Sequence, residues 1–167
     1  MTKAGEGHAA GLGALQPPMG ALVPAGWLEE FADSEEARHL AALEADRELV
    51  ERLMWAAYAG PEWEVFQTRL IAYGYQVLFR WLRSGAIFNR CWDNGYPLKR
   101  NPRSRELDEA RSLAGETVVL AVRSFRETVL IPRVWRPDRK ASLNTFFVGQ
   151  CLIRFGTLSR CVCAALH

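Results

Sequence analysis

The sequence has few of the residues on which catalytic and metal centres most often depend. Only 3 histidines and 4 cysteines occur among its 167 residues. The histidines lie far apart in the sequence, and Cys161 and Cys163 are too close together for the usual zinc spacing. Glycine motifs that bind phosphates or dinucleotides are missing, as is a Gly-x-Ser-x-Gly elbow. We therefore predict that the protein is not an enzyme and that it needs no metal or other cofactor.

Long hydrophobic runs are missing as well. The sequence has no stretch of about 18 apolar residues, which a membrane-spanning helix requires. Its N-terminus has no basic start followed by an apolar core, which is the pattern of an export signal. These two absences predict a cytoplasmic protein that does not contact a membrane and whose cysteines are free thiols.

Lysine is scarce, because 18 of the 21 basic residues are arginine. Residues 1–64 hold 4 basic and 12 acidic side chains, a net charge of −8, whereas residues 65–167 hold 17 basic and 7 acidic side chains, a net charge of +10. A basic half indicates a polyanionic partner. Attraction between two oppositely charged, solvated faces of the same chain explains the asymmetry equally well.

The periodicity of apolar residues predicts helices throughout. Residues 1–25 are rich in glycine, alanine and proline, which predicts a disordered arm, and residues 26–60 form an acidic helical extension that ends at Gly60 and Pro61. Residues 61–167 form the main domain. Its three long helices are predicted at 63–83, 104–130 and 143–166.

The helix ends have recognisable signals. Gly85 is a stop signal, Pro132 ends the next helix, and Ser142 occupies the N-cap position of the last one. The segment 84–104, with its prolines and basic residues, reads as an exposed basic loop. We predict an all-α fold, a compact bundle of about four to five helices.

One segment, 133–160, combines cations with aromatic rings around the start of the last helix. Single-stranded nucleic acid needs this mixture, because cations neutralise its backbone and rings stack on unpaired bases. The cations are Arg133, Arg136, Arg139, Lys140 and Arg154, and the rings are Trp135, Phe146 and Phe147. The alternative is that the phenylalanines belong to the core and the arginines form a solvated rim.

The order of three motifs resembles region 2 of the bacterial sigma factors. Glu109–Val118 stands where that family has a helix of the type Asp-x-x-Asp-Leu-x-Gln-Glu-x-Phe. Trp135–Ala141 is similar to its turn Phe-Asp-Pro-x-x-Gly, and Ser142–Phe147 is similar to Ser-Phe-x-Thr-Trp-Leu, which opens its recognition helix. The resemblance covers about residues 63–163, and the chain is similar to sigma-like proteins of actinobacteria that carry a long N-terminal extension.

The resemblance implies the fold of sigma region 2 and two kinds of partner. The helix with Glu109, Ser112, Leu113 and Glu116 docks on the clamp coiled coil in the largest subunit of core RNA polymerase. A second group of side chains contacts the single-stranded −10 element of promoter DNA. That DNA-binding group is Arg133, Trp135, Arg136, Arg139, Lys140, Thr145, Phe146, Gln150 and Arg154.

The resemblance therefore implies a sigma-like transcription factor, with an anti-sigma regulator as a further partner. The alternative is an adaptor that has the sigma-like fold and binds polymerase or a regulator but does not melt promoters. Two departures favour this alternative. Gly115 replaces the usual glutamine of the docking helix. The sequence also ends at His167 without the helix-turn-helix domain that reads the −35 element in complete sigma factors.

The acidic extension suggests one more hypothesis. An acidic helix around Glu29 to Glu51 covers the basic surface of the domain and restrains DNA binding.

Overall fold

The computed structural model describes the backbone of residues 25–165 and the side chains of residues 35–161. Residues 1–24, which are almost all of the predicted arm, lie outside the described part. The chain divides into two compact units, 1–36 and 37–167. This division lies at 36/37, and the domain boundary at 60/61 stays a prediction.

Residues 37–60 join the larger unit because their apolar side chains enter its core. Leu43 and Leu53 on the first helix are 4% and 0% exposed, and Tyr58 is 6% exposed. The Tyr58 hydroxyl also donates a hydrogen bond to the Leu130 carbonyl at 3.0 Å. The sequence marks this stretch as acidic, but its apolar stripe decides where it packs.

The described part of the chain contains five α-helices and no strand, so the predicted all-α fold is confirmed. The helices are α1 (Ala25–Trp55), α2 (Pro61–Ser84), α3 (Ala86–Asp93), α4 (Leu107–Phe125) and α5 (Leu143–Ala165). A π-helical stretch, Arg126–Leu130, continues α4 directly. None of the described helices combines the length and the apolar character that crossing a bilayer requires.

The predicted stop and start signals act at three helix ends. Gly60 precedes Pro61, which occupies the first turn of α2, where its missing N–H costs nothing. Gly85 ends α2 at φ 77° and its N–H donates to the Leu82 carbonyl at 3.1 Å. The Ser142 hydroxyl accepts a hydrogen bond from the Thr145 N–H at 3.2 Å, so Ser142 is the N-cap of α5, as predicted.

The predicted exposed loop 84–104 is wrong in its first half, because α3 lies there. Ile87, Phe88 and Cys91 anchor α3 in the core and are at most 6% exposed. Eight residues are too few to establish a helical period. The glycine and the prolines around α3 are strong loop signals, and they led to the prediction of a loop. The next helix also begins later than predicted, at Leu107 instead of 104.

The helices α2, α4 and α5 meet at one close contact, and α4 packs against both of the others. At Gly74 on α2, an added Cβ atom would lie 2.7 Å from Cε1 of Phe147 and 2.9 Å from Cγ2 of Val118. The rings of Phe125 and Phe147 pack edge to face with centroids 5.5 Å apart. The absence of a side chain at Gly74 therefore allows the three helices to approach.

Candidate functional site

The chain reverses direction after α4 in a turn that begins with a helix cap. Arg133 adopts a left-handed conformation at φ 58°. Its N–H donates to the Leu130 carbonyl at 3.1 Å, and the Val134 N–H donates to the Val129 carbonyl at 2.9 Å. This pair of bonds is a Schellman motif, which satisfies carbonyls that the helix end leaves free.

We define the basic turn as residues 132–140. Its centre is Trp135, whose ring is only 6% exposed and whose Nε1–H donates to the Ala141 carbonyl at 2.8 Å. Lys140 ends the turn in a left-handed conformation, φ 58° and ψ 11°, with its N–H bonded to the Pro137 carbonyl at 3.2 Å. A buried ring and two reversals of the backbone thus hold the turn in one shape.

The basic turn contains four of the five predicted cations, and three of them share one surface. Arg133, Arg136 and Arg139 are exposed and line one concave surface of the turn. Within the described residues none of the three forms an ion pair. Lys140, also exposed, follows them directly. The guanidinium groups therefore remain available to an anionic ligand.

Arg154 lies on a different part of the surface. It is half-buried in a groove between α4 and α5, where its Nη2 donates to the Ser124 hydroxyl at 2.7 Å. The same hydroxyl is 3.3 Å from Oε1 of Gln150. The structure thus brings Gln150 and Arg154 together, but in a groove formed by α4 and α5 and not in the turn.

The aromatic residues of this segment are mostly turned inward. Trp135 and Phe147 are buried, and Phe146 is half-buried against the core. Thr145 is exposed at the start of α5. In this conformation Trp135 anchors the turn and offers no face for stacking, so Phe146 is the one ring of the three that is partly open to solvent.

Helix α1 lies against the basic turn through contacts that the sequence did not reveal. Oδ2 of Asp46 accepts a hydrogen bond from the Leu143 N–H at 2.9 Å, across 97 residues of sequence. Nε2 of His39 lies 2.9 Å from the Lys140 carbonyl oxygen, to which it donates. An anion at the N-terminus of a helix is favoured by the helix dipole, so Asp46 supplements the Ser142 cap of α5.

A small cavity separates the rest of α1 from the turn. Its volume is about 220 Å³, and its lining includes Val50 and Met54 from α1 and Trp135 and Pro137 from the turn. The lining is mainly apolar, and the charged residues Arg47, Glu51 and Arg133 also border the cavity.

The acidic side chains of α1 do not pair with the basic turn within the described residues. Glu51 pairs with Arg47 at 2.6 Å, and Glu44 pairs with the same guanidinium. Arg52 pairs with Glu62 at 2.8 Å. The hypothesis of an acidic cover stays a prediction: the side chains of residues 29–34, where the proposed helix begins, lie outside the description.

The predicted polymerase-binding residues share the outer side of α4. Glu109, Ser112 and Glu116 are exposed, and Leu113 is half-buried. The Ser112 hydroxyl donates to Oε1 of Glu116 at 2.9 Å.

Two apolar residues extend this surface by one helical turn. Val119 is 60% exposed and Leu120 is 41% exposed, and grooves against α2 and against α5 flank them. Neither residue belongs to the set that the sequence predicts for this helix, because exposed aliphatic residues on a helix carry no sequence motif. We define the α4 surface as Glu109, Ser112, Leu113, Glu116, Val119 and Leu120.

Comparison with known proteins finds no matching family model, no matching curated protein and no matching solved structure. The described side chains also include no group of three or more His, Cys, Asp or Glu residues placed to hold a metal ion. The basic turn and the α4 surface are therefore the two candidate functional surfaces.

Proposed function

We propose that the protein is a sigma-like transcription factor that binds core RNA polymerase through the α4 surface and promoter DNA through the basic turn. The observation that carries the proposal is the shape of the turn. Lys140 has the left-handed conformation that glycine favours, and it stands where the turn of the sigma factors has glycine. Trp135 stands at the position of that turn's phenylalanine and is its buried anchor.

The charge of the turn supports binding to a phosphate backbone. Arg133, Arg136 and Arg139 face one concave surface, and Asp138 is the single carboxylate of the segment. A guanidinium forms paired hydrogen bonds with phosphate oxygens, which fixes the position of a strand without reading its sequence. Release of counterions from the strand then provides much of the affinity.

Base contacts belong to the start of α5. Thr145 is exposed and Phe146 is half-buried, so a hydroxyl and one ring edge lie beside the turn that holds the phosphates. One stacked base contributes about 1–3 kcal/mol. Contacts of the phosphates with the turn therefore provide more of the affinity than stacking does.

The α4 surface has the composition of a protein interface. Exposed aliphatic side chains at Val119 and Leu120 lie next to the carboxylates of Glu109 and Glu116. Interfaces typically have an apolar centre within a polar rim, and a few central residues contribute most of the binding energy. We propose the clamp coiled coil of polymerase as the partner, following the resemblance of this helix.

Two variants test the two halves of the proposal. Leu120→Glu is expected to abolish co-purification with core polymerase, because it places a charge at the centre of the apolar contact. The triple variant R133Q/R136Q/R139Q is expected to keep polymerase and to lose binding of a single-stranded −10 oligonucleotide, measured by fluorescence anisotropy. The matched control R52Q/R69Q/R111Q removes three exposed arginines elsewhere. Equal DNA affinity of the turn variant and this control would overturn the DNA role.

A second candidate function is an adaptor that binds polymerase without melting DNA. Burial of Trp135 and Phe147 favours it, because two of the three candidate rings are closed to unpaired bases. A promoter with a fluorescent base analogue in its −10 element separates the two functions. Binding of polymerase with no fluorescence increase supports the adaptor, and an increase supports the sigma-like factor.

A further inference from the structure

A second cationic surface lies apart from the basic turn, on elements to which the proposal above assigns no role. Between residues 80 and 105 the chain has seven basic residues and one acidic residue, Asp93, a net charge of +6. All seven are exposed. We define the α3 surface by them: Arg80, Arg83, Arg90, Lys99, Arg100, Arg103 and Arg105.

Four of these arginines are held in place by neutral groups. Nε of Arg105 donates to the Arg83 carbonyl at 3.1 Å, and Arg83 donates in return to the Arg105 carbonyl. The guanidinium of Arg90 lies 4.0 Å from the centre of the Trp81 ring, and Arg100 donates to Oδ1 of Asn89. These contacts tie the end of α2, α3 and the segment before α4 into one surface, and they leave its charge uncompensated.

The other three cations have no polar side-chain contact within the described part of the chain. The side chains of Arg80, Lys99 and Arg103 form no hydrogen bond, ion pair or ring contact there, and no ion pair among the described residues involves any member of the α3 surface. Like charges held close together repel one another and disfavour the compact state. A ligand that supplies several negative charges in a row removes this repulsion.

We propose that the α3 surface binds the sugar–phosphate backbone of double-helical nucleic acid, without regard to sequence. The cations are spread over three elements, which suits a linear array of phosphates. An acidic protein helix fits less well, because Trp92, 69% exposed, is the one large apolar side chain exposed between residues 80 and 105. A single exposed ring is also too few for a series of stacked bases, so a duplex is favoured over a single strand.

The inference does not depend on the roles of the basic turn or of the α4 surface. If both DNA surfaces act, the turn holds the unpaired strand and the α3 surface holds the adjoining duplex.

Three variants, each with three cations replaced by glutamine, test the inference in the full chain. R80Q/K99Q/R103Q changes the α3 surface and replaces only side chains that form no hydrogen bond, ion pair or ring contact among the described residues. R133Q/R136Q/R139Q changes the turn, and R52Q/R69Q/R111Q is the scattered control with the same change of charge. Each is titrated with a random-sequence duplex and with a single strand over a range of salt concentrations, and circular dichroism verifies the fold.

The salt dependence distinguishes contact from general charge. Each phosphate contact on duplex DNA contributes about 0.9 to the slope of log affinity against log salt, so losing three contacts reduces the slope by about 2.7. We expect this reduction for the α3 variant with the duplex, and a markedly smaller one for the scattered control. Equal slopes for these two variants would overturn the inference.

The remaining outcomes separate this inference from the proposed function. Loss of single-strand binding in the turn variant alone, with the α3 variant unchanged on both probes, leaves the proposed function standing and rejects the α3 surface. The reverse pattern supports the α3 surface and rejects the role of the turn. Binding of polyglutamate by the parent protein, with no duplex binding, would also reject the inference in favour of an acidic protein partner.

Discussion

Single residues with left-handed backbones set the shape of the candidate DNA site. Arg133 and Lys140 both have φ 58° and lie at the two ends of the basic turn. An L-residue in this conformation costs about 1–2 kcal/mol, because its Cβ atom approaches a carbonyl oxygen. The turn therefore keeps two cations at positions where glycine would be less strained.

Replacing Lys140 by glycine is expected to stabilise the protein by about 1 kcal/mol, since it removes this strain and costs some chain entropy. The hydrogen bond from His39 is to the backbone carbonyl and is retained. Chemical denaturation measures the change, with Lys140→Ala as the control that removes the charge and keeps the strain. A glycine variant no more stable than the alanine variant would contradict this account.

The buried cysteines make stability depend on alkaline pH. Burial raises the pKa of the Cys151 thiol to about 12, from a reference of 9.0. Between about pH 9 and about pH 12 the thiol ionises in the unfolded chain but stays protonated in the folded one, which favours unfolding. The stabilising contribution of the protonated Cys151 thiol is therefore fully present below about pH 9 and is lost as the pH rises towards about 12.

We therefore expect the free energy of unfolding to fall by about 2 kcal/mol between about pH 8 and about pH 10.5 on account of Cys151. The Cys151→Ala variant, denatured at the same two pH values, is expected to show a decrease smaller by that amount. If parent and variant lose the same free energy, Cys151 is not protected from ionisation in the folded state.

At the scale of helices, glycines on α2 and α4 have opposite effects. A Cβ atom at Gly74 would overlap Phe147, which is 0% exposed and unable to move aside, whereas a Cβ atom at Gly115 meets nothing within 4 Å. Gly74→Ala is expected to destabilise the protein by about 1–3 kcal/mol through overpacking. Gly115→Ala is expected to stabilise it by about 1 kcal/mol through helix propensity.

Thermal unfolding of the two variants gives this comparison directly, since each replaces a helical glycine by alanine. A melting temperature of Gly74→Ala that equals or exceeds that of the parent would show that Gly74 is not a point of close packing.

The long helices were predictable, and the exceptions have physical causes. Periodic apolar residues located α2, α4 and α5, and glycine and serine located two of their ends. Helix α3 was missed because eight residues carry too little periodicity beside strong loop signals. The tie between Asp46 and α5 was not predictable, because no local pattern records a contact across 97 residues.

The candidate site was predictable in its composition but not in its exposure. The sequence grouped five cations with three rings, and the structure keeps Arg133, Arg136 and Arg139 together but separates Arg154. Trp135 and Phe147 face inward, since large apolar rings contribute more when buried in the core than when left in water. Sequence shows which residues are near one another in the chain, and packing decides which of them reach the surface.

For the whole molecule, the separation of charge along the chain affects ligand binding at a distance. The part of α1 that belongs to the larger unit contacts the basic turn through His39 and carries Glu44, Glu48 and Glu51. The negative charge of these carboxylates reduces the local concentration of a nucleic acid, and salt weakens this effect.

The variant E44Q/E48Q/E51Q is expected to bind a single-stranded −10 oligonucleotide several-fold more tightly than the parent at low salt and equally at high salt, by fluorescence anisotropy. D93N/D108N/E116Q makes the same change of charge on α3 and α4 and serves as the control. If both variants gain equally, net charge and not the position of α1 determines the effect.

The hydrogen bond between Asp46 and the Leu143 N–H joins α1 to the first residue of α5. A binding partner that pulls α1 aside also frays the first turn of α5 and releases the backbone of Lys140 from His39. By thermodynamic reciprocity, a strand that clamps the turn makes α1 harder to detach. Under the proposed function, we therefore expect occupancy of the turn and attachment of α1 to strengthen each other.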